Sequence, residues 1–338
     1  MYLTRFLYLI FISVHLLSCS GIVVDSKING VSFVASREPI DITHISPVLN
    51  VNANYAAIMP FGFIRELNNP EVIYNTKRQW FGETFKGAEQ YISELKKEGV
   101  KIMMKPQIWV WRGEFTGYIE MRDEASWKKL EETYSNFILD YAKLAEDTQC
   151  EILCIGTELE QFVTNRPDFW KELIVKIKEV YKGELTYAAN WDEFKRTPFW
   201  SELDYIGVDA YFPVSDSKTP SVEEALLGWE EHKITIENVS KANNKPVMFT
   251  EFGYRSVDFA GKEPWVSDRS MDVVNLKAQT NATQALFETF WNESWFAGGF
   301  IWKWFHNHNK VGGEDNFMFT PQNKPVENLL KEYYGRFK

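Results

Sequence analysis

A single-domain α/β fold, a (β/α)8 TIM barrel, is the expectation from three features of this chain. Apolar strand-like runs alternate with amphipathic helical stretches, which implies a parallel sheet. The strand-like runs number eight. The long connections follow strands rather than precede them, as loops around one mouth of a barrel do. The 338 residues suffice for one large barrel, and no low-complexity linker or repeat divides them.

The strand candidates are residues 28–34, 54–60, 101–107, 151–157, 184–190, 203–209, 246–250 and 298–302. Short apolar runs such as Ile152-Leu153-Cys154-Ile155 read as strands buried on both faces. Helical spacing of Trp127, Leu130, Tyr134, Phe137, Ile138, Tyr141 and Leu144 predicts a helix over 126–146. Pro167 opens the next helix and Gly183 closes it. Ser221 with Glu224 reads as a capping box for a helix running toward Asn243. The first unit is the weakest, since 35–53 is short and rich in helix breakers. Residues 60–82, 108–125, 191–202, 211–220, 252–272 and 303–322 are expected as loops.

Two glutamates stand out. Glu158 ends the fourth predicted strand and Glu251 the seventh. A carboxylate at the carboxyl end of a buried strand is poorly placed for packing and well placed for chemistry at a barrel mouth. Two facing carboxylates are the minimum needed to cleave a glycosidic bond. Glu160 remains a rival to Glu158, because period-two alternation places both on one side if the strand continues.

Composition narrows the partners. The net charge of -10 argues against nucleic acid, whose phosphates need a basic surface. It is compatible with a neutral polysaccharide. With 13 Trp, 15 Tyr and 25 Phe, the chain has ample aromatic rings for a bulky core or for stacking on sugar C–H faces. No Gly-rich phosphate loop and no GxSxG elbow is present, and no cofactor is expected. His306 and His308 with Glu314 and Asp315 suggest a metal only weakly; a loop after the eighth strand more simply contacts sugar. Cys150 and Cys154 would lie about 13 Å apart on a strand. A disulfide needs Cα atoms within about 7 Å, so both read as buried thiols.

The segments Ile155-Gly156-Thr157-Glu158-Leu159-Glu160, Thr250-Glu251-Phe252-Gly253-Tyr254 and Lys105-Pro106-Gln107 resemble glycoside hydrolase family 113, of clan A, typified by endo-β-1,4-mannanases. The resemblance spans roughly residues 28–337. It implies a retaining hydrolase of β-linked polysaccharide with Glu251 as nucleophile and Glu158 as acid/base. It implies that Tyr211 hydrogen-bonds the nucleophile and that Trp302 floors the cleavage subsite, with Trp304 at the same parity. Lys105, Gln107, Trp109, Asn190, Trp191 and Asp209 complete the expected substrate-binding set. Lys105 is too costly to bury unpaired, so it binds a hydroxyl or pairs with a carboxylate. Asn190 reads equally as a sugar contact or a turn residue. Thr157 departs from the clan pattern, which has Asn at that position on the substrate 2-hydroxyl. That keeps a β-glucan, xylan or galactan as alternative substrates. A non-catalytic glycan-binding lipoprotein is the other alternative; two mutually repelling carboxylates in one cleft argue against it.

Residues 1–18 hold one basic residue, Arg5, no acid, and an apolar run over 6–17. That pattern reads as a signal peptide. Leu16-Leu17-Ser18-Cys19 resembles a bacterial lipoprotein cleavage box. The expectation is therefore a lipid anchor at Cys19, a short tether over 19–27, the barrel over 28–338, and a place in the bacterial cell envelope, attached to the membrane through the lipid.

Overall fold

The computed structural model describes residue 22 and residues 26–267 and 271–337. The expected leader and Cys19 lie outside the described residues. Among the described residues no helix is long and apolar enough to cross a membrane.

Eight parallel strands close a barrel. In chain order they are β1 (Ile28–Phe33), β2 (Tyr55–Ile58), β4 (Lys101–Met104), β6 (Ile152–Thr157), β7 (Glu184–Asn190), β8 (Ile206–Ala210), β9 (Val247–Phe252) and β10 (Phe296–Trp304). The outer ring is formed by α1 (Ile42–Asn50), α2 (Phe85–Lys97), α3 (Glu124–Asp147), α5 (Pro167–Val180), α6 (Val222–Asn243), α7 (Leu276–Phe290) and α8 (Pro325–Arg336). A one-and-a-half-turn helix, α4 (Glu160–Asn165), leaves the mouth after β6.

Period-two alternation sorts the strand residues into two cores. Ile152, Cys154, Met103, Met248 and Phe300 face the barrel interior. Leu153, Ile155, Val247 and Phe249 face the helices in a second, larger core. Trp170 of α5 is fully buried there among Tyr134, Phe162 and Phe199. Truncating such a side chain to alanine typically costs about 3–5 kcal/mol. Cys150 and Cys154 are free and buried.

Several local expectations need correction. The region 35–53 does form a helix, α1, started by Asp41, which accepts from Thr43 N at 2.9 Å and donates its own N–H to His44 Nδ1 at 3.1 Å. That reciprocal cap carries the helix past Pro47. Ser221 caps α6 by accepting from Glu224 N at 3.1 Å, and the Glu224 carboxylate accepts chiefly from Ser217 and Ser215, with a weaker contribution from the Ser221 backbone. The third predicted strand ends early, at Met104. After Pro60 and Pro106 the chain resumes as β3 (Phe61–Ile64) and β5 (Gln107–Val110), a two-stranded parallel sheet above the mouth. Proline has no N–H to donate, which ends the main ladder there.

Three strands carry an extra residue next to the mouth. Between Cys154 and Thr157, β6 advances three residues while β7 advances two, from Thr186 to Ala188. Between Phe249 and Phe252, β9 likewise gains one residue on β10, and between Phe249 and Glu251 one on β8. Between Ile301 and Trp304, β10 gains one on β1. Such bulges re-aim side chains and interrupt the ladder. On β6 the interruption is repaired by side chains: Tyr134 O–H donates to Ile155 O at 2.8 Å, and Cys154 Sγ contacts Gly156 O at 3.2 Å. Only glycine fits at 156, where a Cβ would come within 3.0 Å of Tyr134, Trp170 and Tyr187.

Candidate active site

The bulge on β9 turns Glu251 into the mouth, where three donors meet its two carboxylate oxygens. Lys105 Nζ lies 2.5 Å and Gln107 Nε2 3.0 Å from Oε1. Tyr211 O–H donates to Oε2 at 2.8 Å. An ionised carboxylate only accepts, so an all-donor shell matches that form. Lys105 and Gln107 flank Pro106 in the link between β4 and β5, and both side chains reach Glu251. Asp209 stands beside them, its Oδ1 accepting from Thr250 O–H at 2.7 Å and from Lys105 at 3.3 Å. Lys105 is fully buried. Burial alone would push its ammonium down, but the charges of Asp209 and Glu251 outweigh that and raise it. Burial, then the charge of Glu251, pushes Asp209 up to about 7, against the pull of Lys105.

Glu158 has a different environment. Its backbone takes the left-handed conformation, φ 50°. For a non-glycine residue that costs of order 1–3 kcal/mol, so neighbours must hold it. Glu158 N donates to Ala188 O at 2.8 Å, and Leu159 N donates to Tyr187 Oη at 2.7 Å. Tyr187 in turn donates to Glu193 Oε1 at 2.8 Å, and Asn190 N donates to Glu193 Oε2 at 3.0 Å. Burial pushes Glu193 up to about 7 against those hydrogen bonds. Among the described residues no side chain donates to the Glu158 carboxyl, and part of the residue stays open to solvent. Burial first, then the charges of Asp209 and Glu251, pushes Glu158 well above the usual carboxylate range. The mouth therefore holds one carboxylate supplied with donors and one carboxyl pushed toward its neutral form, the division of labour acid–base chemistry requires.

The structure places the other expected residues as follows. Thr157 Oγ1 and Asp209 Oδ2 are buried with no partner among the described residues. Asn190 Oδ1 accepts from Trp191 N at 2.8 Å, a turn contact. Trp191 stacks on Trp265 at 5.1 Å between ring centroids. Trp302 is half-buried at the mouth and Trp109 is exposed. Lys105 and Gln107 bind the Glu251 carboxylate rather than facing open space. Trp304 corrects the parity expectation: the bulge on β10 turns it outward, and it is fully buried in the core against the helices. Glu160 is excluded as a partner of Glu251, because the strand stops at Thr157 and α4 carries Glu160 away to an ion pair with Arg196, 2.7 Å from Nε. His308 bonds Glu327 at 2.6 Å and His306 bonds Asn307, so the loop histidines point to different partners.

Sequence reasoning missed Thr250, Tyr187 and Glu193, and also Lys303. The Lys303 ammonium sits over the rings of Trp302 and Phe305, at 5.5 and 5.3 Å, where burial pushes it down and the charge of Glu251 pushes it up. Polar residues next to a strand-end carboxylate were the available signal.

A closed (β/α)8 barrel with two glutamates in contrasting environments at its carboxyl mouth defines a glycoside hydrolase. The chain belongs to Glycoside Hydrolase Family 113, whose model matches residues 42–324. The barrel is also that of solved family members. One GH113 β-1,4-mannanase in a complex superposes with a TM-score of 0.80 at 24% identity, over 92% of this chain and 99% of that one. The GH113 β-mannanase AaManA from Alicyclobacillus acidocaldarius, in complex with ManMIm, gives 0.81 at 22% identity, over 93% and 98%. A Faecalibacterium prausnitzii β-glucuronidase shares the barrel more distantly, with a TM-score of 0.63 at 14% identity, over 93% of this chain and 49% of that one. No curated protein matches the chain.

Proposed function

We propose that this protein is a retaining endo-β-1,4-mannanase. One observation carries the mechanism: three donors converge on Glu251, while Glu158 has none among the described residues and is pushed toward its neutral form. Glu251 attacks the anomeric carbon, and Glu158 gives its proton to the departing glycosidic oxygen. A covalent glycosyl-enzyme forms. Glu158, now ionised, takes a proton from water as that water attacks, and Glu251 leaves with net retention. Lys105, Gln107 and Tyr211 hold Glu251 in place and stabilise it as it leaves. Family membership and the likeness to β-1,4-mannanases support mannan as the substrate.

The test is hydrolysis of β-mannan by the purified protein, with the anomeric configuration of the first product read by NMR. Retention with internal chain cleavage is expected. Glu251→Ala should be inactive on every substrate. Glu158→Ala should keep its glycosylation step on activated aryl glycosides and regain turnover with azide. An inverted first product would overturn the retaining mechanism, and cleavage of β-glucan or xylan with mannan untouched would replace the sugar. We also infer, from the Leu16-Leu17-Ser18-Cys19 box, a lipid anchor at Cys19 in the cell envelope. Cys19→Ala should leave the membrane fraction or fail to be processed, and a processed variant still in membranes would remove the anchor.

A further inference from the structure

We propose that Trp111, Phe115 and Tyr118, together with Trp109, form a fixed aromatic platform that seats the leaving-group side of a neutral β-linked polysaccharide chain. The proposal rests on the assignment of Glu158 as acid/base and adds the direction in which the chain lies. Four large rings within ten residues are 48% (Trp109), 67% (Trp111), 37% (Phe115) and 64% (Tyr118) exposed. Elsewhere the large rings are mostly buried, as Trp170, Trp229, Trp291 and Trp304 show. Exposed large rings grouped in one loop in this way mark a binding surface.

The patch is built rather than loose. Val110 below it is buried, so strand alternation turns Trp109 outward, and Trp111, the first residue of the turn after β5, is exposed as well. Ile119 and Met121 return the chain to the core. Phe61 from β3 packs edge-on against Trp109 at 6.4 Å, and Phe115 packs edge-on against Tyr118 at 5.3 Å. Gly113, at φ 74°, lets the chain double back under Trp109, whose ring a Cβ there would touch at 3.4 Å.

One contact gives the platform its orientation. Thr116 O–H donates to Glu158 O at 3.1 Å, so the loop is fastened to the residue that protonates the departing oxygen. We take this anchorage to the acid/base as the sign that the loop lines the leaving-group side and not the sugar that becomes bound to Glu251. The chemistry of the platform fits a neutral sugar chain. Its exposed charges are one Arg112 and one Glu114, which balance. Flat rings stack on pyranose C–H faces with little loss of side-chain freedom.

The experiment compares the Trp111→Ala/Tyr118→Ala double variant with wild type on two substrates: an aryl β-mannobioside, and β-mannohexaose labelled with oxygen-18 at the reducing end. The loss of kcat/KM should be about 100-fold larger on the hexaose than on the aryl substrate, about tenfold for each ring. The hexaose cleavage pattern should shift away from bonds that leave three or more sugars on the reducing side. In a Glu251→Ala background, hexaose affinity should fall by a similar factor, a readout independent of turnover. Equal losses on both substrates would overturn the platform and make the loop a support for Glu158. An unchanged hexaose pattern and affinity would place the chain elsewhere, and vesicle or protein binding lost in the same variant would then give the rings another partner. If wild type cleaves another β-glycan instead of mannan, only the sugar assignment fails, and the same comparison runs with that glycan's oligosaccharides.

Discussion

Lys105 is fully buried with two carboxylates as its ionic partners, so Lys105→Met should expose how the mouth balances its charge. At an effective dielectric near 20, contacts of 2.5 and 3.3 Å correspond to attractions of about 7 and 5 kcal/mol. The burial cost of the ammonium itself, several kcal/mol, offsets much of that. Removing one partner of such a set typically destabilises by about 3–5 kcal/mol, because the remaining charges are left unbalanced. Urea unfolding should show that loss at pH 8. Met has nearly the length of Lys and leaves little cavity, so the variant should still fold. Its stability should depend on pH in a defined sense. Asp209, already raised by burial and now without the opposing pull of Lys105, binds a proton more readily folded than unfolded. The folded state then holds more protons, and stability falls as pH rises. Lys105→Met should therefore lose less stability at pH 5 than at pH 8. The acidic limb of kcat/KM, which reports the free enzyme, should move to higher pH. A folded Lys105→Met with an unmoved acidic limb and no pH-dependent loss would show that Lys105 does not govern the charge state of the site.

Three further outcomes follow from the same geometry. Tyr211→Phe removes one donor to Glu251 and should lower kcat about 10–100-fold, the worth of one hydrogen bond to a charged group, with KM nearly constant; equal changes in both would mean Tyr211 binds substrate instead. Glu193→Gln weakens the Tyr187 link that holds Leu159 N and should lower kcat about tenfold without changing the KM for an aryl glycoside, whereas an unaltered kcat would reduce the link to packing. Lys324 is buried with only neutral acceptors, Ser256 Oγ and Met318 O, and burial pushes it down to about 7. The unfolded chain therefore binds more protons between about pH 7 and 10, and wild-type stability should rise with pH across that window. Lys324→Met should flatten the rise, and an identical slope in the variant would show that Lys324 stays charged.

The sequence made the barrel legible because strand and helix periodicity differ and each strand-like run ended in loop residues. The two glutamates were legible because charge at the end of a buried apolar run has few structural uses. What stayed hidden was local. Phe61–Ile64 and Gln107–Val110 are four-residue runs set off by Pro60 and Pro106, too short to separate from loop by pattern. Trp304 was misplaced and Glu160 kept in play by one assumption, unbroken alternation, which fails wherever a strand gains a residue or becomes a helix. Lys105 could be argued to need a carboxylate, but its partners come from strands more than a hundred residues away, and only the closed barrel brings them together.

The inserted residues on β6, β9 and β10 have a consequence for how such a protein can be altered. The spacing of the reactive groups is written into backbone register beneath the mouth, and the loops above inherit it. Exposed side chains above the mouth, such as Trp111 and Tyr118, can then be exchanged between relatives to change what is gripped, while the bond-breaking geometry stays constant. Loss of Thr250 would do the opposite, drawing Glu251 one residue back along β9, away from Lys105, Gln107 and Tyr211, while every loop remained intact. In this barrel substrate choice is modular, and the capacity to cut is not.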